Sequence, residues 1–231
     1  MSSGNVFERL FKLWASVCKL VLDGKRAAEE VCSVLQAVVD GRQLVEAQPT
    51  LHDMVSGWVN FYKEVFGLDL NFSEVQIPER KPGFDRLIIV AQGMTPQRLF
   101  NKCKELFTSW KYTDKDLDEF VKSVRTAENG TYAIWVRERV DADKENKNLS
   151  ANQLKERGDE GITLEERMLY ELKFFNESGK HLDVASWTLC AGSRYSDGDV
   201  PCVRLYGDKF KVYWSDSYYH SGSLRSRSVV S

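Results

Sequence analysis

His181 is the best placed for chemistry of the three histidines in this 231-residue chain. In Gly179-Lys-His-Leu-Asp183 it lies two residues before Asp183, between a helix stop and an expected strand. The following loop, Ser193-Arg-Tyr-Ser-Asp-Gly-Asp199, adds Arg194, Asp197 and Asp199. Folded back over the start of that strand, the loop would gather one imidazole and up to three carboxylates, enough for hydrolase-like general acid–base chemistry or a hard cation. Asp197-Gly-Asp199 lacks the remaining ligands of an EF-hand loop, and Asp and Gly are also turn residues, so no metal is assigned. The plainer expectation is a self-contained turn in which Arg194 pairs with Asp183 or Asp197. A thiol nucleophile, Cys190 or Cys202 with His181 or His220, is a further combination, although Cys190 ends an apolar strand pattern and reads as structural. His52 and His220 read as surface residues. P-loop, G-x-G-x-x-G, H-E-x-x-H and G-x-S-x-G motifs are all absent from the sequence, so no cofactor is implied.

A second patch carries binding rather than reaction chemistry. Val200–Tyr206 and Lys209–Trp214 are rich in β-formers and separated by Gly207-Asp208, a two-residue hairpin signal. That turn sets Tyr206 opposite Lys209, Arg204 opposite Lys211 and Cys202 opposite Tyr213. One face then holds Val203, Leu205, Phe210, Val212 and Trp214 and is expected to meet the core. The other holds Arg204, Tyr206, Lys209, Lys211 and Tyr213. Rings beside cations can stack on bases and pair with phosphates, or take a protein or peptide partner; a solvated sheet face of ordinary composition explains them too. Charge is split in the same sense: residues 180–231 carry seven Lys/Arg and five Asp/Glu, net +2, and the remainder carries 25 and 29, net −4. The leading expectation is a non-enzymatic binding protein that meets an unknown protein or peptide partner through Arg204, Tyr206, Lys211 and Tyr213. A hydrolase-like site at His181, Asp183, Arg194, Asp197 and Asp199 stands second, and single-stranded nucleic-acid binding third. Arg225 and Arg227 in the tail would either join the basic face or point to solvent from a short terminal strand.

These residues need elements to carry them. A net charge of −2 generates no overall field for nucleic acid or anionic lipid, and 42% hydrophobic with 29% charged residues is ordinary globular composition. Five widely spaced cysteines with no C-x-x-C indicate neither a disulfide framework nor a zinc finger. No apolar run approaches the roughly 20 residues of a membrane span, and no signal-peptide core is seen, so a cytoplasmic location with no membrane partner is expected. Helical periodicity marks Val6–Leu22, Ala27–Val39 and Leu51–Phe66, which together suggest a helical N-terminal region, 1–67. An α+β part, 68–231, follows. It has alternating Leu68, Leu70 and Phe72, a buried strand at Leu87–Ala91, and a helix opened by Thr95-Pro96. A further helix begins at Thr113-Asp-Lys-Asp116, and a strand runs over Tyr132–Val140. Residues 137–160, with six Lys/Arg and seven Asp/Glu, read as a solvated connection in which Ser150-Ala-Asn-Gln153 caps a short helix. Thr163-Leu-Glu-Glu166 opens the clearest helix, stopped by Gly179, with Glu165 and Glu166 welcomed by its dipole. The fold class is α+β with a C-terminal antiparallel sheet.

Asn148-Leu-Ser-Ala-Asn-Gln-Leu154, Gly161-Ile-Thr-Leu-Glu-Glu-Arg167, Gly179-Lys-His-Leu-Asp183 and Gly192-Ser-Arg-Tyr-Ser-Asp-Gly-Asp199 together resemble a family of uncharacterised proteins from uncultivated, candidate-phylum bacteria. The resemblance runs from Phe84 to the C-terminus and, more weakly, through the helical part. It implies a bacterial, cytosolic setting and brings no activity or functional residue with it.

Overall fold

The computed structural model describes residues 3–24, 26–41 and 49–231. Two helices, α1 (Ser3–Leu22) and α2 (Ala28–Val39), belong to a first compact unit, residues 1–49; residues 50–231 form a second. The next helix, α3 (Leu51–Phe66), which periodicity places in a helical N-terminal region 1–67, belongs to the second unit. Its Trp58, Phe61 and Tyr62 are buried in the main core of that unit. Thr50 and Asp53 cap it reciprocally and Gly67, at φ 69°, ends it in the left-handed conformation that glycine adopts without strain.

The second unit continues with β1 (Arg86–Val90), α4 (Pro96–Leu106), β2 (Ser109–Lys111), α5 (Leu117–Phe120), β3 (Val121–Ser123) and β4 (Tyr132–Val136). Then come α6 (Ala151–Glu156), α7 (Leu164–Ser178), β5 (Trp187–Leu189), β6 (Ser193–Tyr195), β7 (Val200–Tyr206), β8 (Lys209–Ser215) and β9 (Leu224–Ser226). This is an α+β architecture. β1 pairs with β4 and β3 with β6, both antiparallel. The largest sheet has the order β2-β8-β7-β5-β9: its centre is antiparallel, as expected, and the two edge strands join in parallel. No described helix is long and apolar enough to cross a membrane.

Local chemistry explains the helix ends. Thr95 accepts from Arg98 N ahead of Pro96, Ser150 and Gln153 cap α6, and Thr163 and Glu166 cap α7, which stops at Gly179 with φ 65°. Three expectations fail. The alternating stretch at 68–72 forms no strand, although Phe72 is buried. The helix expected from Thr113 is capped by Asp116 instead and lasts four residues, because Val121–Ser123 leaves it to pair with β6. Residues 137–160 are not a solvated connection. Asp143 is fully buried, taking Arg137 Nη1 at 2.6 Å and Ser228 N at 2.9 Å, and Asn146 is buried against the 226–228 strand end. Charge-rich composition hid a segment whose charges are used inward.

Helix α7 is the centre of the unit, buried continuously from Leu164 to Lys173 between α3, α4, β1 and β7. Its neighbour α3 is tied to β1 by polar contacts inside the apolar layer: Trp58 Nε1 donates to Leu87 O at 3.0 Å, and Tyr62 Oη donates to Ile89 O at 2.8 Å while accepting from Ala91 N at 3.0 Å. Tyr62→Phe keeps the ring and leaves both backbone groups buried without partners. The expected loss is about 1–3 kcal/mol of unfolding free energy, read as a lower urea midpoint at unchanged slope.

Candidate functional site

Asp183 does not face a cleft. It is fully buried at φ 54° and receives four donors: Arg167 Nε at 2.8 Å, Arg227 Nη2 at 2.8 Å, Ala142 N at 2.9 Å and the Thr188 hydroxyl. Burial pushes its pKa up, but the two guanidiniums outweigh that and hold the carboxyl below its ordinary value. Arg167 also donates to Glu171 Oε2 at 2.8 Å, and Glu171 Oε1 meets His181 Nδ1 at 2.8 Å. Arg227, on the tail expected to face solvent or the basic sheet, is 1% exposed; it donates to the carbonyls of Arg139 and Val140 as well as to Asp183. Arg225 is half-buried and donates to Ala142 O at 3.4 Å.

The expected acid–base constellation is therefore dispersed. His181 and Asp183 share a network only through Glu171 and Arg167, and the His181 ring packs at 4.9 Å from both Phe107 and Phe175. Arg194 pairs with neither aspartate: its Nη1 donates to Ala191 O at 2.8 Å and Ser193 O at 2.7 Å. Asp197 closes an Asx turn onto Asp199 N at 3.2 Å. The cause is strand pairing, since β6 is drawn onto β3 and carries its loop with it. Cys190 and Cys202 are buried with thiols pushed upward by burial, and His220 meets Asn148 at 3.2 Å, so no thiol–imidazole pair forms among the described residues. Nor does any described group of three or more His, Cys, Asp or Glu present a metal site.

A smaller polar network joins β3, β6 and α7. Ser123 Oγ donates to Glu165 Oε2 at 2.7 Å and lies 2.7 Å from Ser193 Oγ, which accepts from Leu164 N at 2.9 Å. Burial lifts the Glu165 pKa to about 7 despite the bond from Ser123. Glu166 forms a two-pronged pair with Arg125, at 2.8 and 3.0 Å. Both glutamates lie in the first turn of α7, as expected from the sequence, and are in addition buried in polar networks.

The basic and aromatic face is the region that remains open. The hairpin has the expected register, with Tyr206 opposite Lys209, Arg204 opposite Lys211 and Cys202 opposite Tyr213. Val203, Phe210 and Val212 are fully buried on the inner face. Trp214 departs from that face's expected burial. It lies two residues beyond Val212, the last partner of β2, and is 40% exposed. On the outer face, α6 covers one half by packing Ala151 and Leu154 on Leu189, Val200, Cys202 and Leu224. The other half is uncovered. There Trp110 stacks on Tyr213 with centroids 5.9 Å apart, and Trp187 lies 6.1 Å from the same ring. Lys211 Nζ sits 4.8 Å from the Tyr206 ring and 5.6 Å from Trp110, and Arg204 sits 5.3 Å from Tyr206 and 6.0 Å from Trp187. Neither cation has a carboxylate partner among the described residues; Arg204 donates to Val184 O at 3.1 Å. A groove of about 530 Å³, lined by Trp187, Tyr213, Trp214, Tyr219 and Leu224, borders the patch. Sequence periodicity found the five hairpin residues of this face and missed Trp110 and Trp187, which arrive on strands the hairpin pattern does not include.

Two stability measurements follow from the buried charges. Asp183→Asn leaves Arg167 and Arg227 facing each other without their shared counter-charge, and the expected loss is about 3–5 kcal/mol in chemical unfolding. Glu165 takes up its proton near pH 7 when folded and near 4.5 when unfolded, so its contribution to stability falls as pH rises through that window. Glu165→Gln keeps an acceptor for Ser123 and removes that decline, worth about 3 kcal/mol by pH 8, in urea melts taken from pH 4 to 8.

No family model, curated protein or solved structure matches the chain.

Proposed function

We propose that the uncovered outer face of β7 and β8 is a docking surface for an extended, acidic polypeptide segment, and that the protein acts as a binding module rather than an enzyme. The observation that carries this reading is the absence of a carboxylate beside Arg204 and Lys211 among the described residues, on a face ringed by Trp110, Trp187, Tyr206 and Tyr213. Aromatic rings and Arg are the side chains that dominate protein-binding hot spots, and aromatic-lined grooves favour extended chains. Alternate residues of an extended peptide lie about 6–7 Å apart. The rings of Trp110, Tyr213 and Trp187 are spaced at 5.9 and 6.1 Å, which suits alternate side chains of such a segment.

Charge supports a peptide over a nucleic acid. Strong duplex binders neutralise about 6–10 phosphates, whereas Arg204, Lys209 and Lys211 supply three charges on a chain of net −2. Three contacts to a single strand would give a salt slope of only about −2.

Three of the six tryptophans, Trp110, Trp187 and Trp214, stand in or beside the patch, so a ligand there changes the intrinsic fluorescence. An octapeptide of alternating Glu and Pro, titrated at low ionic strength, is expected to change that fluorescence saturably and to bind more tightly than an eight-residue oligothymidylate. Arg204→Glu combined with Lys211→Glu should weaken the peptide by tenfold or more while leaving the circular dichroism spectrum intact. An unchanged affinity in that variant, no saturable signal, or tighter binding of the oligonucleotide overturns the reading.

A further inference from the structure

Lys122 on β3 and Arg194 on β6 are direct cross-strand partners, flanked in register by Val121 with Tyr195 and Ser123 with Ser193. The serines bond to each other, and the two cations share the opposite side of the ribbon. Like charges facing each other across an antiparallel pair destabilise it. Neither cation is relieved by a carboxylate among the described residues. Arg194 is fastened only to the carbonyls of Ala191 and Ser193, and burial pushes its guanidinium pKa down. Both residues line a cavity of about 730 Å³; its wall also holds Lys155, a third cation without a carboxylate partner among the described residues, and Arg125, which is paired with Glu166. The side-chain carboxylates on that wall are already engaged: Asp159 with Arg157, and Glu160 with Arg125 at 3.6 Å and the Ser231 hydroxyl at 2.6 Å. Ala151, Leu154 and Ala191 supply apolar surface.

We infer that this cavity binds a small phosphorylated molecule, with the phosphoryl group lying between Lys122 and Arg194. A phosphate monoester carries close to two negative charges near neutral pH, which matches a pair of unrelieved cations better than a single carboxylate does. The guanidinium offers a planar edge of donors and the lysine a point charge, a combination suited to phosphoryl oxygens. The volume lies within the range of about 300–1,000 Å³ typical of small-molecule sites and far exceeds a lone phosphate, leaving the apolar wall for an organic body.

The probe is adenosine monophosphate, with adenosine as its uncharged control and ionic strength held constant. Lys122 is exposed and makes no hydrogen bond or ion pair among the described residues, so Lys122→Gln is the informative variant. The monophosphate is expected to raise the Tm of the wild-type protein and adenosine to leave it unchanged. Lys122→Gln should weaken the monophosphate by about tenfold in calorimetric titration, while the unliganded variant melts about 1–3 °C higher because a repulsion has been removed. The Arg204→Glu/Lys211→Glu protein should bind the monophosphate normally, which separates this site from the peptide face. No Tm rise in the wild type, equal responses to adenosine, undiminished affinity in Lys122→Gln, or a variant that melts at or below the wild type would each overturn the inference.

Discussion

Two arginines from distant parts of the chain converge on the carboxylate of Asp183 inside the second unit. Arg167 comes from the buried face of α7 and Arg227 from just beyond β9. A carboxylate stripped of water is costly unless every lone pair is used, and this one is met by two guanidiniums, a hydroxyl and a backbone amide. Because those donors belong to α7, the C-terminal segment, β5 and the 137–160 loop, satisfying one side chain fixes four pieces of chain against each other. Burying such ions is no gain over an apolar core; its consequence is that only the correct arrangement is tolerable. Glu171 extends the network to His181, and the imidazole is thereby a packing residue at the edge of an ion cluster.

That interior explains why the outer sheet face is what it is. Val203, Phe210 and Val212 are committed to the core over α7, so alternation along β7 and β8 must send Arg204, Tyr206, Lys211 and Tyr213 outward. The 137–160 segment, pinned by Asp143 and Asn146, sets α6 over only half of that face. The remaining half holds rings and cations that stabilise each other by about 0.5–1 kcal/mol per contact. Polarity is sorted the same way in β3 and β6, where the serines turn inward to Glu165 and the cations turn to the cavity.

Much of the architecture was legible in local chemistry. Thr95-Pro96, Ser150 with Gln153, Thr163 with Glu166, and the glycines at 67 and 179 mark helix ends that depend only on residues within a few positions. Gly207-Asp208 set the hairpin register for the same reason: a two-residue turn leaves one way for the strands to meet. The candidate chemistry at His181, Asp183, Arg194, Asp197 and Asp199 was read from nearness in sequence, and nearness in sequence says nothing about a partner 44 residues away such as Arg227. Charged residues were the least readable class, since Arg167, Glu171 and Asp143 have the composition of a solvated surface and the environment of a core.

Sequence alone therefore determined the α+β class, the caps of α3, α4, α6 and α7 and the register of the C-terminal hairpin, all of which follow from dihedral preference and side-chain alternation over a few residues. Only the tertiary structure decided that α3 belongs to the second unit, that Asp183 is a buried anchor instead of an acid at a surface, and that Trp110 and Trp187 join the exposed face. Those outcomes depend on which distant strands pair and which charges must find counter-charges once water is excluded, and neither condition is written in any short window of residues.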